Sequence, residues 1–290
     1  MAASHDSIWE VYDFVKPLGS GTFGVVREVK SKNRKNRRAP SHFAVKTIPN
    51  TADTEMALMQ KLEHHPHVLR LEHVILEEQE IHLVMSICRG GDLQNWIEER
   101  WDDEFTAGTK YYDAPGTSEV AVLSRQMLSA VAYIHHLSIV HRDIKPANWL
   151  LSGGFFPVLK LSDFGLGQEM THPGEVMKKA CGSSMYMAPE VFSGCYTELC
   201  DVWSSAMVIF ELVCGKPFFG HLPERQLEQA VYGEMKLDQA DWEHQRPWLK
   251  TWLQSLLVKE VDGRPSASKA LNHPEVQNAR WNGKCNCTVS

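Results

Sequence analysis

The sequence has no CxxC pair among its seven cysteines, Cys88, Cys181, Cys195, Cys200, Cys214, Cys285 and Cys287. They read as reduced thiols of a cytosolic protein, not as a disulfide framework. Long apolar runs are missing too. The longest, residues 206–210, is broken by Glu211 and reads as part of a buried helix, far short of a membrane span. The opening MAASHDSIWE has no signal-peptide core, and Ala2 stands where N-myristoylation requires glycine. Basic charge is not in excess. With 30 Lys and Arg against 36 Asp and Glu, the net charge of −6 leaves no nucleic-acid footprint and suits basic peptides as partners. No internal repeat is visible. What remains is a 290-residue chain of ordinary globular composition, 43% hydrophobic and 23% charged, long enough for two small lobes or one large domain.

The chemistry concentrates in His141-Arg142-Asp143-Ile144-Lys145-Pro146-Ala147-Asn148. One short loop there holds a carboxylate that can accept a hydroxyl proton, an ammonium that can neutralise a phosphoryl group, and an amide oxygen that suits Mg²⁺. Twenty residues after Asp143 comes Asp163-Phe164-Gly165, a second carboxylate suited to the same ion. Upstream, a strand over Tyr12–Leu18 runs into Gly19-Ser20-Gly21-Thr22-Phe23-Gly24 and then into a strand over Val25–Val29. A GxGxxG between a strand and a helix would suggest a dinucleotide site. Between two strands, a plain hairpin turn is one reading. Lys30–Arg38 is a basic run that reads as a solvated loop. Phe43-Ala44-Val45-Lys46 puts a lysine into a half-buried strand, which is costly unless its charge is paired. His64-His65-Pro66-His67 reads as a turn, with a three-histidine metal site as the alternative. Residues 81–85 alternate as a strand, and residues 119–137 carry apolar side chains at helical spacing.

In this order and at these distances, the motifs resemble the protein kinase family. The resemblance runs from about residue 10 to residue 275. In its loop and hinge motifs it is closest to the calmodulin-dependent and calcium-dependent serine/threonine group, although no D-x-D-x-D-G calcium loop is present. It implies a two-lobed α+β fold over residues 8–275. The N-lobe, about 8–85, would be a small antiparallel sheet with one main helix. The larger C-lobe, about 90–275, would be mostly helical, followed by a tail over 276–290. The implied activity is Mg²⁺-dependent transfer of the ATP γ-phosphate to Ser or Thr hydroxyls of proteins, in a cytoplasmic enzyme expected to be a monomer.

The resemblance also assigns roles. Asp143 would take the proton, Lys145 and Lys46 would stabilise phosphoryl charge, Asn148 and Asp163 would hold Mg²⁺, and Glu55 would pair with Lys46. The glycine-rich loop, Gly19 to Gly24 with Ser20, Gly21, Thr22 and Phe23, would close its backbone N–H groups over the ATP phosphates. Val26, Ala44 and Leu150 join the nucleotide site, Met85 is the gatekeeper, Ser86-Ile87-Cys88 is the hinge, and Asp92 lies near the ribose. Lys145 and the platform Ala188-Pro189-Glu190 favour protein over small-molecule substrates. Ser183 would bridge Asp143 and Lys145, Asp201 would brace the catalytic loop, and Glu190 would pair with Arg264. Glu211 is either a ligand for basic substrate residues or a satisfied core carboxylate.

Two departures from the family pattern matter. Only eight residues, Pro49 among them, separate Lys46 from Glu55, so the helix bearing Glu55 starts no earlier than about Asn50 and is short. Lys179 stands where many kinases carry the activating phosphothreonine that Arg142 would bind. Together they give the expectation of activity without phosphorylation at this position. The alternative is a pseudokinase scaffold whose Glu55 cannot reach Lys46. Finally, Cys287-Thr288-Val289-Ser290 fits a prenylation box, with Cys285 available for palmitoylation, so membrane association through a C-terminal lipid stands beside the reading of a tail with two incidental cysteines.

Overall fold

The computed structural model describes residues 7–21, 24–32, 40–50, 53–101, 115–154, 158–220, 222–235, 237 and 245–280. The first lobe is built on one sheet. α1 (Ile8–Val11) leads into β1 (Tyr12–Gly21), β2 (Gly24–Ser31) and β3 (His42–Pro49); α2 (Asp53–Lys61), β4 (Leu71–Leu76) and β5 (Glu80–Ser86) follow. The strands pair antiparallel in the order β1-β2-β3-β5-β4. Strand alternation separates the two faces of β3. Val45 packs outward with Ile8, Tyr12, Val29, Ile75 and Val84, while Ile48 joins the main core and Ala44 and Lys46 line a cleft. α1 and β4 go beyond the elements expected from sequence. In β4 the polar pair Glu72-His73 interrupts the apolar pattern, and a register shift falls between Leu71 and His73.

The second lobe is helical. α3 (Leu93–Trp101) and α4 (Thr117–His136) precede four short strands, β6 (Ile139–Val140), β7 (Trp149–Leu151), β8 (Leu159–Leu161) and β9 (Gln168–Glu169). Then come α5 (Pro189–Phe192), α6 (Leu199–Cys214), α7 (Glu224–Tyr232), α8 (Pro247–Leu256), α9 (Ala267–Leu271) and α10 (Pro274–Gln277). On α4, Val120, Leu123, Met127, Leu128, Val131 and Ile134 are fully buried, as their spacing requires. α6 is apolar nearly all round and forms the centre of this lobe. It stops where Gly215 turns left-handed (φ 68°) and returns its N–H to Glu211 O at 2.8 Å.

The four short strands position the chemistry. β6 pairs with β9, and β7 pairs with β8. The loop 141–148 leaves β6 and enters β7, and the loop 162–167 leaves β8 and enters β9. These two strand pairings therefore hold the Asp143 and Asp163 loops side by side. Trp149, beside Asn148, is fully buried and anchors β7 in the core.

Candidate active site

A cleft of about 580 Å³ lies under the sheet, a size that suits a nucleotide-sized ligand. Of the residues expected there, Gly19, Gly24, Val26, Ala44, Lys46 and Glu55 line it from the sheet and α2. Met85, Ser86, Cys88 and Asp92 line its back, and Asn148, Leu150 and Asp163 its floor. Thr22 and Phe23 lie outside the described residues, as do Cys285, Cys287 and most of the Lys30–Arg38 run. Sequence reasoning missed Leu69 and Glu28 in this lining. Glu28 alternates with Val29 on β2 and gives no motif. Its buried carboxylate accepts from Arg89 Nη2 at 2.8 Å and meets His42 Nδ1 at 2.8 Å. Asp92 also has a local task, since its carboxylate caps α3 through Asn95 N at 2.9 Å.

Gly24 shows why the glycine-rich turn has its composition. Its φ is 146°, and a Cβ there would stand 2.2 Å from Thr47 O on β3. Only glycine lets β2 approach β3 this closely.

Lys46 joins two elements. Its ammonium donates to Glu55 Oε1 at 2.7 Å and Oε2 at 2.8 Å, and to Asp163 Oδ1 at 2.7 Å. α2 is short, as Pro49 requires, yet Glu55 reaches. Met59 and Leu62 are buried beside it and fix the face that α2 presents. Burial raises the Glu55 carboxyl above its ordinary range, and Lys46 only partly offsets this. Burial also pushes the Asp163 carboxyl up, but there the Lys46 charge and hydrogen bond prevail and leave it below its ordinary range. Asp163 holds a left-handed backbone, φ 61°. For a non-glycine residue that conformation costs about 1–3 kcal/mol and persists only when its surroundings enforce it.

The Asp143 carboxylate is saturated with donors. Ser183 N and Oγ each donate to Oδ1 at 2.8 Å, Lys145 Nζ donates to Oδ2 at 2.8 Å, and Asn148 Nδ2 donates to Oδ2 at 3.2 Å and to Asp143 O at 2.7 Å. Lys145 also reaches Ser183 Oγ at 3.0 Å, so Ser183 bridges the pair. Because the Asn148 amide nitrogen is committed to Asp143, its oxygen is the atom left for a cation. Asn148 and Asp163 line the same floor, and the amide and carboxylate oxygens are the hard donors that Mg²⁺ requires. The loop is braced from below by fully buried Asp201, which accepts from His141 N at 2.8 Å and Arg142 N at 2.9 Å and meets His135 Nε2 at 2.9 Å. Burial would raise this carboxyl, but the His135 contact and the neighbouring donors hold it down. Arg142, whose N–H is accepted by Asp201 Oδ1, holds φ 67°. Gly182 packs against the same loop, and a Cβ on it would meet Arg142 O at 2.3 Å.

Arg142 commits its Nε and Nη1 to groups within the fold. Its Nε donates to Leu166 O at 2.7 Å, and its Nη1 donates to Gln168 Oε1 at 2.7 Å and Tyr196 OH at 3.4 Å. Tyr196 OH in turn donates to Lys179 O at 2.6 Å. Burial pushes this phenol up to about 12, so it stays a donor. Further along the segment, Thr171 donates to Glu175 Oε2 at 2.6 Å. Glu211 is a core carboxylate, 1% exposed, and accepts from Tyr186 OH at 2.7 Å. Buried this deeply and bonded to that phenol, it presents no open site for a basic substrate residue. Glu190 and Arg264 form the expected pair, with Nη2 at 3.0 Å from Oε2. The three clustered histidines do not form a metal group. His65 stacks on Tyr133 with ring centroids 4.7 Å apart, and His67 Nδ1 meets Leu159 O at 3.1 Å.

Comparison with known proteins agrees with this geometry. The family model described as "Protein kinase domain" matches residues 12–276. Calcium-dependent protein kinase 3 of Plasmodium yoelii yoelii is 30% identical over 263 residues, covering 89% of this chain and 46% of that protein. Serine/threonine-protein kinase PEPKR2 of Arabidopsis thaliana is 33% identical over 267 residues, covering 91% and 53%. Serine/threonine-protein kinase 33 of Bos taurus is 29% identical over 285 residues, covering 92% and 55%. The chain thus spans about half the length of these relatives, and it belongs to the protein kinase family, among the eukaryotic-type serine/threonine kinases.

Proposed function

We propose that the chain is a catalytically competent serine/threonine protein kinase that does not need phosphorylation of its activation segment. The observation that carries the reading is Lys46 joined to both Glu55 and Asp163 at 2.7 Å, beside an Asp143 already set by Ser183 and Lys145. The short α2 is the feature that favoured a scaffold. The reach of Glu55 supports catalysis instead.

In this mechanism the cleft under β1–β3 takes ATP. Mg²⁺, held by Asn148 and Asp163, would neutralise charge on the transferring phosphoryl group. Lys46 orients phosphate oxygens, with Glu55 holding its ammonium in place. Asp143 orients the substrate hydroxyl and accepts its proton. Its Oδ1 already accepts one serine hydroxyl, from Ser183, at 2.8 Å. Lys145 sits 2.8 Å from the other oxygen and stabilises charge as it develops. Independence from phosphorylation is supported by Arg142, whose Nε and Nη1 donate to Leu166 O, Gln168 and Tyr196 in place of a phosphate. Membrane association through a lipid on Cys287, with Cys285, belongs to this proposal as a separate property of the tail.

The test is phosphate transfer from ATP·Mg²⁺ to a panel of Ser/Thr peptides by phosphatase-treated protein, beside Asp143→Asn. Transfer lost by about 10²-fold or more in the variant is the expected result. If nucleotide binds but no peptide or protein is phosphorylated, the scaffold reading replaces this one. If activity returns only after phosphorylation of Thr171, independence is wrong while the kinase reading stands.

A further inference from the structure

We propose that Glu77, Glu80 and His82 form a zinc-binding site at the β4–β5 turn, on the edge of the sheet and away from the cleft. The donor atoms of these three residues lie within 4.8 Å of one another. His82 is 3% exposed, and its Nε2 makes no well-aligned hydrogen bond among the described residues. Instead it faces two carboxylates, with Glu77 Oε1 at 3.4 Å and Glu80 Oε2 at 3.9 Å. Those separations are long for N–H···O bonds, which cluster between about 2.7 and 3.2 Å. They are close to what a shared ion produces. Ligands about 2.0–2.1 Å from a tetrahedral Zn²⁺ stand about 3.3–3.4 Å apart. The Glu77 distance already has this value, and the Glu80 side chain, 55% exposed, is free to close the remainder.

The surroundings suit a ligand histidine. Its other ring nitrogen, Nδ1, is 3.0 Å from Thr47 Oγ1 on β3, the outer contact that orients a metal-bound imidazole. Glu77 Oε1 accepts the Ile8 N–H at 2.9 Å, which fixes that carboxylate. One imidazole with two carboxylates is a borderline donor set that selects Zn²⁺ over Mg²⁺ or Ca²⁺. The exposed Glu80 side leaves an entry path and room for water as fourth ligand. An ion there would tie three pieces of chain together: the turn after β4, strand β3 through Thr47, and the N-terminal segment through Ile8. Its effect is on the rigidity of the sheet edge and does not depend on phosphotransfer.

The experiment uses the full chain, stripped of metal. Saturating Mg²⁺ and a non-hydrolysable ATP analogue occupy the cleft throughout. Zn²⁺ titration is expected to show one tight equivalent and a rise in Tm. Co²⁺ in its place is expected to give tetrahedral d–d absorption without a thiolate charge-transfer band. Glu80→Gln, at an exposed position that leaves folding intact, is expected to weaken binding about tenfold or more. The double substitution Glu77→Gln, Glu80→Gln removes the equivalent. Equal uptake by wild type and double variant, or a thiolate band that places the metal on cysteines, overturns the proposal. So does no uptake at all, which would leave a histidine–glutamate ion pair only.

Discussion

Each lobe contains a buried cation paired with a glutamate, and the two pairs are built for different ends. In the helical lobe, the Arg264 side chain is completely buried. It donates to Glu190, and also to the backbone oxygens of Val258 and Leu199 at 3.0 Å each, with its guanidinium 5.1 Å over the Trp203 ring. Those carbonyls belong to fixed loops and helix ends, so the arginine has nowhere else to go. In the sheet lobe, Lys46 donates to two side-chain carboxylates, Glu55 on α2 and Asp163 on the loop after β8, and all three line a cleft wide enough for a nucleotide. A cation held by backbone carbonyls keeps register. A cation held by carboxylates at the wall of a cleft can exchange one of them for a phosphate oxygen. A buried ion pair is weak evidence for net stability, so the partners and their surroundings, not the burial, separate the two roles.

The sharpest way to break the comparison is Glu190→Gln. It leaves a guanidinium that cannot lose its proton in a site with no exposure, which costs about 3–5 kcal/mol. For a chain of this size that is a drop of about 6–20 °C in Tm, readable by calorimetry. The kcat of the protein still folded should change little. Lys46→Met should do the opposite. Glu55 remains, but its carboxyl is already raised by burial and takes up a proton instead of staying as an unpaired charge. The stability loss is then only about 1–2 kcal/mol, while kcat falls about 10²–10³-fold because a preorganised donor to the transferring phosphate is gone. If Lys46→Met proved as destabilising as Glu190→Gln, the distinction drawn from their partners would fail.

The comparison also indicates what the sequence could and could not disclose. Motif residues on short loops between paired strands were legible as a group: Gly19, Gly24, Lys46, Asn148 and Asp163 line one cleft, and Asp143 is tied to Asn148, because such loops leave little freedom. Glu55 was legible as a candidate, but its reach was not, since that depends on how Met59 and Leu62 seat α2 against the core. The Arg142–Gln168–Tyr196–Lys179 chain was not legible either. Its members lie 17 to 54 residues apart, and no spacing rule connects a glutamine to a tyrosine across a folded segment. Glu211 had two readings in sequence, and only its burial with Tyr186 decides between them. Glu28 and Leu69 have no motif at all, so their place in the cleft comes from the fold alone.

The smallest effect concerns a group kept neutral where the two ion pairs are kept charged. Burial, then the charges of His67 and Lys160, lower the His65 imidazole from 6.5 to about 4. The unfolded chain therefore binds a proton between pH 6.5 and 4 that the folded protein refuses. Stability from this source is full above about 6.5 and is lost as pH falls towards 4. His67 and His73 are lowered as well, by burial first, and act in the same direction. The depressed carboxyls of Asp163 and Asp201 act in a lower window, because their contribution is present above the unfolded carboxyl pKa of about 4 and is lost below it. The windows are separable. His65→Phe keeps an aromatic ring against Tyr133 and gives up the contact with Ser129 Oγ at 3.2 Å, so it should be slightly less stable at pH 7. Its Tm should then fall less steeply than that of wild type between pH 6.5 and 4.5, and equally below 4. Parallel curves in the upper window would mean that His65 titrates normally and that its stacking, not its charge state, is what the fold uses.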